Sequence, residues 1–137
     1  MRDRATPQGR HADQRLREAP VIWLTTVSAA GQPQSSPVWF LWDGGSLLIY
    51  SRPGGKVRNI AANPRVALHL SDNGTGGDIV TLEGAAEVAS DVPPADQNTP
   101  YLEKYRDGIA RIGMTPERFA ATYRVAIRVT PTRFRVW

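Results

Sequence analysis

Alternation of apolar and polar positions is the strongest signal in this chain. Along Arg65–Ser71, Val66, Leu68 and Leu70 fall on one side and Ala67, His69 and Ser71 on the other, the signature of a half-buried strand. Asp78–Ser90 repeats the pattern with Val80, Leu82, Gly84, Ala86 and Val88 on one face. A glycine in mid-strand predicts a bulge or a sharp bend at Gly84, as where a barrel turns a corner. Val21–Ser28 is rich in branched and aromatic residues and ends in the turn Ala29-Ala30-Gly31-Gln32. A strand over Gln34–Trp42 meets Leu47–Ser51 through Asp43-Gly44-Gly45, a hairpin signal. Tyr123–Val129 alternates again, and after Pro131 the chain finishes as Thr132–Trp137.

Helical patterns are few. His11–Ala19 predicts a short helix ended by Pro20, and Lys56–Asn63 another, with Val57, Ile60 and Ala61 on one face. Pro64 stops the second, because the residue before a proline avoids helical angles. Asn73–Gly77 reads as a glycine-rich turn and Val92–Pro100 as a loop. Tyr101–Ile112 and Pro116–Ala121 are helical, the latter opened by a Thr115 cap with Pro116 in the first position. Strands of even length in hairpin order with few helices predict a mainly β, six-stranded antiparallel barrel. The expected division is an N-terminal arm or short helix over residues 1–19 and a single barrel domain over residues 20–137.

The composition removes most other classes. The 137 residues suit one domain, and 41% hydrophobic content excludes disorder. The longest apolar runs, Val38–Trp42 and Val21–Leu24, are far shorter than the roughly 18 residues of a spanning helix. With no cysteine there are no disulfides, thiolate metal sites or cysteine nucleophiles, and His11 and His69 are too few for a histidine-rich metal site. No metal is expected. Residues 1–18 lack the apolar centre of a signal sequence, which points to the cytoplasm and makes Asn73-Gly74-Thr75 a chance glycosylation sequon. His69 has no strained Gly-x-Ser-x-Gly serine turn to serve. Glu83 and Glu87 share one strand face, where exposure to solvent explains them. Gly74-Thr75-Gly76-Gly77 lacks the spacing and lysine of a phosphate-binding loop. A chain without its own acids, bases or nucleophiles can still catalyse when a cofactor carries the chemistry.

Charge placement narrows the search. The net charge is +4, but Gly44–Ser71 holds Arg52, Lys56, Arg58 and Arg65 with no acidic residue. Arg118, Arg124, Arg128, Arg133 and Arg135 follow Glu117, again with no acid between them. Such stretches suit an anionic partner or a solvated basic face. Without a reader motif, a nucleic acid is not expected as that partner. The run Tyr50-Ser51-Arg52-Pro53-Gly54-Gly55-Lys56-Val57-Arg58 passes from a strand end through a glycine turn into a helix start. Free amides there, a serine hydroxyl and two cations make a phosphate cradle; an ordinary basic strand–helix turn is the alternative.

Leu47-Leu48-Ile49-Tyr50-Ser51, Lys56 and Asn63-Pro64-Arg65-Val66-Ala67-Leu68 resemble the pyridoxamine 5'-phosphate oxidase-like, FMN-binding split barrels. The resemblance extends back through Ser36-Pro37-Val38-Trp39 and forward to Arg133-Phe134-Arg135-Val136-Trp137. It implies a Greek-key split β-barrel in which Tyr50, Ser51 and Lys56 contact the cofactor phosphate. It also implies that the backbone of Ser36, Pro37, Val38 and Trp39 lines the cofactor ring and ribityl chain. Two departures point away from vitamin B6 oxidation: Gly55 stands where an arginine usually precedes the lysine, and the chain stops at Trp137. The short form is similar to the branch that uses the deazaflavin F420, whose anionic tail would suit Arg52 and Arg58 beside Lys56. The resulting expectation is a cytoplasmic homodimer that passes a hydride from reduced F420 to an organic acceptor, with no catalytic side chain assigned. The alternatives are an FMN-binding reductase or oxidase of the same fold and a non-catalytic flavin- or deazaflavin-binding protein. Apolar character on both faces of Val38–Trp42 adds the expectation that its outer face, Trp39 and Leu41 or their alternates, packs against a second subunit.

Overall fold

The alternating segments become a single antiparallel sheet of seven strands in the computed structural model, which describes residues 6–137. In chain order the strands are β1 (Ile22–Val27), β2 (Pro33–Val38), β3 (Leu41–Trp42), β4 (Leu47–Ser51), β5 (Arg65–His69), β6 (Val80–Val88) and β7 (Val125–Val136). The helices are α1 (Pro7–Glu18), α2 (Gly55–Ala62), α3 (Thr99–Arg111) and α4 (Pro116–Thr122). Across the sheet the order is β2-β1-β5-β6-β7-β4-β3. Its two edge strands, β2 and β3, are separated in sequence only by Trp39 and Phe40. Three Cα–Cα steps of about 3.8 Å cannot cross a flat seven-stranded sheet, so the sheet curls until its edges meet. This is the split barrel that the motifs implied.

Two boundaries differ from the alternation, and the first changes the strand count from six to seven. The expected strand Gln34–Trp42 is broken at Trp39-Phe40, because distant side chains take the Phe40 backbone. Its N–H donates to the Tyr105 hydroxyl at 2.8 Å, and Lys104 Nζ donates to its carbonyl at 2.8 Å. The expected strand Tyr123–Val129 does not stop before Pro131 but runs through it to Val136 as one strand, β7. The β6–β7 register shifts between Glu83 and Gly84, and Gly84 then pairs with Pro131. A Cβ on Gly84 would stand 2.5 Å from the Thr130 carbonyl oxygen. Glycine therefore admits the proline by close approach, and the predicted irregularity falls where the alternation placed it. The segment read as the loop Val92–Pro100 contains a 3-10 turn at Ala95–Gln97, and α3 already starts at Thr99.

Adjacent residues on the central strands feed opposite cores. Ile49 and Ile127 point into the barrel with Leu24, Phe40, Leu68 and Leu82. Their neighbours Tyr50 and Ala126 point outward to Tyr101, Tyr105, Ile109 and Phe119 of α3 and α4. The helix expected at His11–Ala19 begins earlier, capped by the Thr6 hydroxyl on the Gly9 amide, and closes the barrel with Ala12 and Leu16, both 0% exposed. The first five residues of the expected arm lie outside the described residues.

Trp39 and Leu41, expected to pack against a second subunit, are both half-buried within this chain. They pack against the outer cluster of the same chain, with Trp39 stacked on Tyr105 at 4.7 Å and on Phe119 at 5.6 Å. Gly108 makes room for the indole, since a Cβ there would come within 3.2 Å of it. The helices α3 and α4 thus cover part of this face. Among the described residues no helix is long and apolar enough to cross a membrane.

Candidate functional site

The β4 strand ends at Ser51, and the chain turns through Arg52, Pro53 and Gly54 into α2. Gly54 sits at φ +155° and ψ −153°, a backbone region essentially reserved for glycine. Helix α2 therefore begins without a side-chain cap and without an acidic residue in its first turn. Its leading amides remain available as donors, reinforced by the positive end of the helix. Lys56 lies in that first turn, half-buried. Among the described residues no carboxylate pairs with Arg52, Lys56 or Arg58.

This turn forms one end of a cavity of about 460 Å³, within the size range of small-molecule sites. Pro37, Val38 and Trp39 line it from β2 and the chain break, and Tyr50, Ser51, Arg52, Pro53, Gly54, Gly55 and Lys56 line it from β4 and α2. The remaining wall consists of Tyr101, Ile112, Phe119 and Tyr123. A cationic, amide-rich end thus faces an aromatic end. Such a cavity suits a ligand that joins an anionic group to a flat conjugated ring.

Seven of the nine residues singled out from the sequence line this one cavity: Pro37, Val38, Trp39, Tyr50, Ser51, Arg52 and Lys56. Ser36 and Arg58 do not. Ser36 is half-buried on the edge strand β2, opposite Leu24. Arg58 is exposed on α2, with its guanidinium 3.8 Å from where a Gly55 Cβ would stand, close to the cavity rim. Two of the lining side chains have other engagements. Tyr50 donates its hydroxyl to the Pro93 carbonyl at 2.6 Å and accepts from the Asn98 amide at 3.0 Å, and burial pushes its pKa up. Ser51, 6% exposed, donates to the Arg52 carbonyl at 2.8 Å; turning its hydrogen to an anion requires giving up that bond. The Arg52 guanidinium rests 5.2 Å over the Tyr123 ring.

The α3–α4 wall was absent from the sequence-based site. Tyr101, Phe119 and Tyr123 occur at helical spacings that read as core, and Tyr101 and Phe119 are indeed buried. One signal distinguishes Tyr101: its hydroxyl is buried and has no hydrogen-bond partner among the described residues. Burying an unpaired hydroxyl costs about 1–3 kcal/mol. Desolvation raises its pKa strongly, with the Tyr105, Tyr50 and Tyr123 hydroxyls adding to the rise, so the group stays protonated. His69 stands apart from the cavity, exposed and stacked on Trp23 at 6.3 Å. Glu83 and Glu87 are exposed.

Comparison with known proteins agrees with this architecture. A family model described as pyridoxamine 5'-phosphate oxidase matches residues 9–137. A solved structure described as an F420 reductase is 31% identical, with a TM-score of 0.65, over 89% of this chain and 94% of its own. An FAD-binding protein from Mesorhizobium loti is 19% identical with a TM-score of 0.63, covering 88% of each chain. The heme storage protein HutZ from Vibrio cholerae is 17% identical with a TM-score of 0.63, over 95% of this chain and 92% of its own. At these lower identities the likeness is one of fold.

Proposed function

Because the chain belongs to the pyridoxamine 5'-phosphate oxidase family, we propose that its cavity binds the reduced deazaflavin F420, whose hydride passes to an organic acceptor. The observation that carries this reading is the joining of an unpaired cationic turn to an aromatic wall within one cavity. The 31% identity with an F420 reductase over most of both chains favours the deazaflavin within the family.

The residues present fit such a cofactor. The uncapped start of α2, Lys56 and the Ser51 hydroxyl would hold the phosphate, and Trp39 with the α3–α4 aromatics would flank the ring. Arg52 and Arg58 extend positive charge beyond the phosphate, toward an anionic tail. When bound, the deazaflavin supplies the hydride. The chain's part is to bind, orient and exclude water. The rest of the reading is a cytoplasmic homodimer. Trp23, 36% exposed on the outer face of β1, offers a contact for the second copy.

A second reading, an FMN-dependent reductase or oxidase, is favoured by the family's own description and by the fold shared with an FAD-binding protein. Parallel titrations with F420 and FMN, followed by an acceptor screen on the loaded protein, separate the two. The first reading requires F420 to bind more tightly and to be oxidised in the presence of an acceptor. A tightly bound yellow flavin surviving purification would replace it with the second.

A further inference from the structure

Tyr50, Tyr101 and Tyr105 form one aromatic nest, but their hydroxyls are used differently. Tyr50 is fixed by the Pro93 carbonyl and the Asn98 amide. Tyr105 accepts from the Phe40 N–H at 2.8 Å and lies within donating distance of the Pro20 and Phe40 carbonyls, at 2.8 and 3.0 Å. Tyr101 lies between them, its ring 4.8 Å from each, and is 0% exposed. Its hydroxyl has no partner among the described residues. The two flanking rings are held by their own hydrogen bonds. A phenylalanine would pack the same ring without burying an unpaired donor. The hydroxyl therefore makes physical sense in a state that brings an acceptor to it, and Tyr101 lines the same cavity as Lys56.

Resting on the functional reading above, we propose that the Tyr101 hydroxyl donates a hydrogen bond to a carbonyl oxygen on the conjugated ring of the bound ligand. A protonated phenol supplies one directed donor and no charge, which matches a neutral ring carbonyl rather than the phosphate. The two ends of the cavity then divide recognition: the α2 turn takes the anion and Tyr101 takes the ring. Since the hydroxyl is shut off from solvent, a neighbouring ring must give way as the ligand enters. Tyr123 is the candidate. It is only half-buried, stacked on Phe119 at 4.5 Å, with the Arg52 guanidinium 5.2 Å over its ring, so an anion that draws Arg52 away removes one of these two contacts.

The test is Tyr101→Phe, with Tyr105→Phe as the structural control, measured by thermal melting without ligand and by calorimetric titration. The probes are F420, riboflavin as a phosphate-free ring, and inorganic phosphate. Tyr101→Phe is expected to melt at or above the wild-type temperature, whereas Tyr105→Phe melts lower. Tyr101→Phe is also expected to bind F420 and riboflavin about 10-fold more weakly, the loss of roughly 1.4 kcal/mol, with phosphate affinity unchanged. Unchanged affinity for F420 and riboflavin overturns it and leaves the hydroxyl as a buried cost. Failure of the wild type to bind either ring, seen before any variant is made, overturns the functional reading and this proposal with it.

Discussion

Lys104 caps Phe40: its ammonium donates to the Phe40 carbonyl at 2.8 Å and sits 4.0 Å above the Phe40 ring. The contact links α3 to the break between the two edge strands, across 64 residues of sequence. No carboxylate accompanies it among the described residues, and desolvation lowers the Lys104 pKa to about 8.

A pH dependence follows. Between about pH 8 and the ordinary lysine value of 10.5, the unfolded chain binds a proton at this site that the folded chain has released. Stability therefore rises with pH across that window and is lost as pH falls through 8. Tyr101 and Tyr105 oppose this above about pH 10, because their raised folded pKa values make the folded state hold protons that the unfolded chain gives up. Denaturation midpoints of wild type and Lys104→Met, compared from pH 7 to 10, isolate the lysine. The wild type should gain stability relative to the variant, and parallel curves would contradict the assignment.

The strand break makes a second prediction. Tyr105→Phe strips the buried Phe40 N–H of its acceptor, which costs about 1–3 kcal/mol. Urea unfolding should show this loss without any ligand present.

Gly84 supplies a third. In Gly84→Ala the new methyl would meet backbone rather than a flexible side chain, with Thr130 O at 2.5 Å and Pro131 Cα at 3.1 Å. Overpacking of this kind costs about 1–3 kcal/mol, read as a lower denaturation midpoint. Ala86→Gly would not produce the same clash and serves as the comparison on the same strand.

The alternation of Val66, Leu68 and Leu70 against Ala67, His69 and Ser71 was legible because it is local: each side chain's face follows from its position in the strand. The β6 irregularity was legible for a similar reason, since a mid-strand glycine has few other uses. Trp39-Phe40 was not, because what breaks the strand there is a hydroxyl and an ammonium 64 to 65 residues away. The stacking of Trp39 on Tyr105 and Phe119 was not legible for the same reason: α3 and α4 lie after a loop whose length says nothing about where they dock. In the cavity, the cationic turn could be read from contiguous residues, while the Tyr101–Phe119–Tyr123 wall assembles only once the helices fold back. Helical aromatic spacing alone reads as core, and only the unpartnered Tyr101 hydroxyl marks the wall as something more.

Salt offers a further check on the charge trail. If Arg52 and Arg58 attract an anionic tail, the preference for F420 over FMN should shrink as ionic strength rises toward about 1 M, where screening lengths fall to about 3 Å. A preference independent of salt would assign the discrimination to the ring and not to the arginines.

The most direct test of the account is F420 titrated into the wild type and into Lys56→Ala under identical low-salt conditions. Lys56 stands at the uncapped start of α2, unpaired with any described carboxylate and lining the cavity. A hydrogen bond to a charged group contributes about 1.5–3 kcal/mol, so the variant should bind roughly 10- to 150-fold more weakly while melting within a degree or two of the wild type. Arg58→Ala, at the rim, should lose less. A Lys56→Ala protein with wild-type affinity for F420 and FMN alike would contradict the account, reducing the basic turn to a solvated surface feature.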